Sequence, residues 1–107
     1  MKLDINKIIS DMLAGIKGTV ADNWDKVKDV TQQFMLHHKD RLLLLAELRI
    51  SGDLSEEKFK SRLEDEKLVL EAELNAMAVI TKAIAQQAAN AAIDILEQAV
   101  KVAISIR

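Results

Sequence analysis

Hydrophobic residues recur at three- and four-residue intervals along nearly the whole chain. Leu3, Ile5, Ile8, Ile9, Met12, Leu13, Ile16 and Val20 share one side of a helical projection, and Lys2, Asp4, Lys7, Asp11 and Lys17 take the other. That spacing predicts an amphipathic helix over residues 3–20. Gly15 and Gly18 stand in its last turns, and each costs about 1 kcal/mol relative to alanine in a helix interior. A break or kink is therefore expected near residues 18–23, where Asp22 or Asn23 could cap a new start. A single bent helix is the alternative.

A second stripe follows: Val20, Trp24, Val27, Thr31, Phe34, His38, Arg41, Leu45 and Leu48. The steps alternate between four and three, a heptad-like seam that Thr31, His38 and Arg41 interrupt. Leu42-Leu43-Leu44-Leu45 is apolar on nearly all sides, which calls for neighbours on two faces. This helix, expected over residues 22–51, stops at Ser51-Gly52-Asp53. Gly52 can take the left-handed conformation that ends a helix. Ser55 then reads as an N-cap, with Glu56 and Glu57 in the first turn, where the helix dipole favours acids. Leu54 and Phe59 match a hydrophobic staple.

No glycine or proline follows, so the pattern predicts one unbroken helix over residues 55–106. Its first part is highly charged, with Phe59, Leu63, Leu70 and Leu74 as a narrow stripe that Glu66 or Lys67 interrupts. From Ala76 the polar residues collapse onto one line: Lys82, Gln86, Asn90, Asp94, Glu97, Lys101 and Ser105. Much of the remaining girth is alanine, and a helix this apolar needs partners on several sides. Unbroken, it would be on the order of 75–80 Å long, whereas a compact domain of this size has a radius of gyration of about 13 Å. The expected fold is therefore all-α: a single helical domain over residues 1–107, a hairpin or bundle with a long C-terminal helix, completed by homo-oligomerisation. The residues expected to carry self-association are Leu74, Met77, Ile80, Ile84, Ala88, Ala91, Ile95 and Val102.

Composition narrows the chemistry. The chain of 107 residues is 50% hydrophobic but only 3% aromatic, with three glycines and no proline. The absence of cysteine excludes disulfides, thiolate catalysis and cysteine-based metal sites. The start lacks a signal-peptide pattern and no run of about 18 apolar residues occurs, so a cytoplasmic protein without a membrane span is expected. Net charge is −2, and no region is strongly basic, which disfavours nucleic acid as a partner.

The histidines, His37 and His38, are adjacent and so point about 100° apart on a helix. Neither follows a glutamate at the spacing of carboxylate-bridged dimetal helices, and no metal or other cofactor is expected. His38 is expected in the seam beside Arg41, with a pH-sensitive interface as a further option. The acidic residues Glu56, Glu57, Glu64, Asp65, Glu66, Glu71 and Glu73 interleave with Lys58, Lys60, Arg62 and Lys67, the pattern of a solvated helix face. No serine stands in a nucleophile setting that sequence reveals, and no catalytic residue is assigned. Helix 3–20, with Lys2, Lys7 and Lys17, could instead lie on an anionic membrane surface, but it lacks an aromatic anchor before Trp24.

The stretch Leu42 to Leu68 resembles the SHOCT module, a short helical hairpin, at Leu45, Leu48, Gly52, Leu54, Ser55, Glu57, Phe59 and Leu63. The resemblance covers about a quarter of the chain. It implies oligomerisation or anchoring without catalysis, and carries over no functional residue. Together these features point to a non-enzymatic protein that works through protein–protein contact, with a peripheral membrane role as the alternative.

Overall fold

The computed structural model describes residues 3–106. Lys2, which the membrane reading invoked, lies outside them, as do Met1 and Arg107. Among the described residues the structure is all-helical, with no strand. Four α-helices occur among the described residues: α1 (Ile5–Val20), α2 (Trp24–Ser51), α3 (Glu56–Met77) and α4 (Lys82–Ser105). The 28 residues of α2 span about 42 Å at the usual rise, and the molecule measures 41 × 22 × 20 Å. Helix α2 thus sets the long dimension, and the others pack along it. Helix α4 lies against both α1 and α3 and also reaches α2, with its most extensive contact on α1.

Three of the four α-helices start where a short polar side chain binds a free backbone N–H. Asp4 accepts from Lys7 N–H at 3.1 Å, Ser55 from Lys58 N–H at 3.2 Å, and Thr81 from Ile84 N–H at 3.2 Å. Helix α2 is the exception. Asn23 makes no such bond, and its amide donates instead to the Val20 carbonyl at 3.3 Å. The α2–α3 turn follows its sequence signals. Gly52 sits at φ +89°, its N–H donates to the Arg49 carbonyl at 3.2 Å, and Leu54 N–H donates to the Leu48 carbonyl at 3.0 Å. The last carbonyls of α2 are thereby bound before the chain reverses. Phe59 is buried and Leu54 half-buried, as a staple requires.

The break between α1 and α2 falls within the expected window, but neither glycine makes it. Both lie inside α1. Ala21 takes the positive φ, +50°, followed by one 3-10 turn over Ala21–Asn23. Gly15 serves packing instead: a Cβ built there would collide with Ile95 Cδ1 and sit 3.9 Å from the Ala91 carbonyl of α4. Gly18 faces open space. Gly18→Ala should therefore raise unfolding stability by about 0.5–1 kcal/mol through helix propensity. Gly15→Ala should gain less or lose, because Ile95 must move. Urea melts of the two variants would separate these roles, and equal gains would mean that α1 and α4 do not approach closely at Gly15.

The unbroken helix expected over residues 55–106 is corrected by the structure. Helix α3 ends at Met77, Ala78 is extended (φ −105°, ψ 147°), and α4 begins after Thr81. The chain offers a local place to bend. Val79, Ile80 and Thr81 are three consecutive β-branched residues, poor helix formers, and the third is a good N-cap. The reversal turns the alanine-rich helix back onto its own chain. Ala85, Ala88, Ala89 and Ala92 are fully buried, with Leu96 beside them. The polar line Lys82, Gln86, Asn90, Asp94, Lys101 and Ser105 faces solvent, with Glu97 half-buried. The several partners that α4 needs are thus α1, α2 and α3 of the same chain, so the open alanine face that called for other copies is closed.

Candidate functional site

The two polar interruptions of the hydrophobic stripes meet each other. Arg41 of α2 binds Glu66 of α3 through both ends of its guanidinium: Nε lies 2.5 Å from Oε1, and Nη2 donates to Oε2 at 3.0 Å. Glu66 is 5% exposed, one of only two buried polar residues among those described. A buried carboxylate is tolerated only when paired, and the two-point geometry of arginine suits it. The other buried polar residue, Thr31, is satisfied within its own helix, donating to the Lys28 carbonyl at 2.9 Å.

His38 extends the cluster. Its ring stacks on Phe34, with centroids 4.2 Å apart and planes at 19°. Its Nδ1 stands 2.6 Å from Arg41 Nη2. A guanidinium has only donors, so Nδ1 is the acceptor and Nε2 carries the ring proton. Nε2 points toward Glu73, at 3.9 Å. The expected placement of His38 beside Arg41 is what the fold shows. His37 is exposed and turns away, into a separate hollow. Among the described residues no three histidine, aspartate or glutamate side chains gather to hold a metal ion.

Two shallow hollows occupy the furrow between α2 and α3, one to each side of the cluster. One, of about 330 Å³, is lined by Asp29, Val30, Gln33, His37, Glu73 and Met77. The other, of about 260 Å³, is lined by Arg41, Leu45, Arg62, Asp65, Glu66 and Val69. Their walls mix aliphatic side chains with charges, of which Arg41, Glu66 and Glu73 belong to the cluster. The rest of the acidic face of α3 is solvated, with Glu56 near Lys60 at 3.6 Å and Glu64 near Lys67 at 2.7 Å.

The residues expected to carry self-association are divided by the fold. Leu74 and Ala88 are fully buried in the chain's own core. Ile80, Ile84, Ala91 and Ile95 are half-buried, with Ala91 and Ile95 facing Gly15 of α1. Met77 and Val102 are open, at 74% and 57% exposure. They were derived for a straight helix, and the reversal at 78–81 sends the α3 and α4 parts of that line to different surroundings. The sequence reading missed the Arg41–Glu66 pair, although a signal was present. Arg41 stands eleven positions before Gly52 and Glu66 eleven after Ser55, so an antiparallel hairpin brings them level.

The apolar side of α1 is occupied as well: Ile5, Ile8, Met12, Ile16 and Val20 are all buried. No helix of the described residues is long and apolar enough to cross a membrane. No protein-family model, curated protein or solved structure matches the chain.

Proposed function

We propose that this chain is a non-enzymatic assembly component that acts through protein–protein contact, its first partner being a second copy of itself. The observation that carries this reading is the apolar end formed where α3 gives way to α4. Met77 and Val79 are 74% and 84% exposed there, and Met77 borders the hollow with Val30 and His37. Adjoining large apolar side chains turned to water mark contact surfaces, and methionine adapts readily to a partner. A lipid-surface role for α1 would require its five buried residues to leave the core, which sets protein contact ahead of it.

Light scattering across a dilution series tests the reading. The wild-type chain should exceed its 11.9 kDa monomer mass at high concentration. The pair Met77→Glu, Val79→Glu should return it to monomer without lowering its melting temperature, since both positions are solvated in the monomer. A wild-type mass of one chain at every concentration would overturn self-association.

A further inference from the structure

Helices α3 and α4 bury one continuous stripe even though the chain is bent between them. On α3 the buried positions are Phe59, Leu63, Glu66, Leu70 and Leu74. On α4 they include Ala85, Ala88, Ala92, Leu96 and Val100. Leu74 and Ala85 are eleven residues apart, and three turns of α-helix take about 10.8. Read across the break, the two stripes are therefore in phase, as they would be on a single straight helix. The connecting residues, Ala78 to Thr81, include neither glycine nor proline, so nothing steric forbids them from being helical.

We propose that α4 is exchangeable between two copies of this chain. Residues 56–105 straighten into one helix of roughly 75 Å, and the α4 of each copy takes the place of the other's against α1 and α3. The geometry supports this in two ways. A short connection centres the antiparallel pairing of α3 and α4 on itself, near residues 79–80. Two straight helices crossing antiparallel at that point reproduce the same pairing between chains, so every α3–α4 and α1–α4 contact is kept. Met77, Val79 and Ile80, which lie at the bend of the closed chain, then stand at the crossing of the two helices. Short hinges between elements that repack identically are the usual setting for such exchange. The proposal rests on the reading of the chain as self-associating and names the element that is shared.

The absence of cysteine allows a direct test in the full chain. Lys60 of α3 and Lys101 of α4 line one hollow and are both exposed. Lys60→Cys and Lys101→Cys, joined by a bismaleimide, tie a closed chain to itself but tie an exchanged pair into a covalent dimer. Protein refolded at millimolar concentration should give a dimer by light scattering, and after cross-linking a dimer on denaturing gels. Thr81→Ala removes the cap that only the bent form uses, and should tighten dimerisation by about tenfold or more. Val79→Gly with Ile80→Gly, which disfavours a helical hinge, should weaken it. A dimer whose cross-links stay within each chain would overturn exchange while leaving self-association intact. Monomer alone after refolding at millimolar concentration would overturn both.

Discussion

Ala88→Glu should unfold this protein rather than merely change its mass. Ala88 is fully buried on α4, with Ala85, Ala89 and Ala92 around it at equal depth. Alanine is there because the helices approach closely, so a longer side chain has no room. A carboxylate at that depth also loses its hydration, among the side chains of the hydrophobic core. Burying an unpaired charge costs on the order of 3–5 kcal/mol, against a total of about 5–15 kcal/mol for a domain of this kind. The far-UV circular dichroism melt should shift down steeply or lose cooperativity. Asn90→Glu on the exposed line of the same helix should leave the melt almost unchanged. If both variants melt like the wild type, α4 does not pack where the structure places it.

Arg41→Ala should be the next most damaging change, and its logic differs. The mutation leaves the Glu66 carboxylate, with its side chain 7% exposed, without its cation. Removing one partner of a buried pair costs about 3–5 kcal/mol. The Arg41 side chain is 51% exposed, so water entering the vacated space should reduce the loss to roughly 2–3 kcal/mol. Glu66→Ala should cost less, because it strands a cation that already reaches solvent. Replacing both, as Arg41→Met with Glu66→Leu, should come within about 1 kcal/mol of the wild type, since apolar side chains of similar volume suit the site. Urea titrations of the wild type, Arg41→Met, Glu66→Leu and the double variant form a double-mutant cycle. Additive losses would show that the pair contributes nothing as a pair, and the cluster would be two independent surface charges.

The single variants also separate the pair's role from the histidine's. Arg41 holds His38 Nδ1 as well as Glu66. Losing Arg41 therefore removes the nearest partner of His38 Nδ1, at 2.6 Å, whereas losing Glu66 removes an oxygen that stands farther off, at 3.7 Å. The His38 ring resonances in NMR spectra should move in Arg41→Ala and far less in Glu66→Ala.

Much of this fold was legible in the chain. The all-helical class, the stop at Gly52, the restart at Ser55 with Leu54 and Phe59, and the polar line of α4 all stand in the structure. So does the place of the α1–α2 break, although Gly15 and Gly18 were the wrong cause. Glycine was read as a breaker by its backbone freedom, but its missing Cβ mattered more. At Gly15 that absence lets α4 come near, which no local pattern announces. The run Val79-Ile80-Thr81 was a readable stop signal, hidden because no glycine or proline marked it. The Arg41–Glu66 pair needed the register of the hairpin, which follows only once the turn has been placed.

By itself the sequence determined what is decided within a few residues: which segments are helical, which side of each is apolar, and where caps and a left-handed glycine allow a start or a stop. These depend on backbone sterics and on hydrogen bonds spanning three to six positions. Only the tertiary structure decided that α4 folds back to be covered by its own chain, and that Arg41 and Glu66 satisfy each other. A breaker-free stretch bends when the apolar surface buried by distant segments outweighs the few helical hydrogen bonds given up at the bend. That comparison includes Ile5 and Phe34 as much as Ala78, so no local window of the chain contains it.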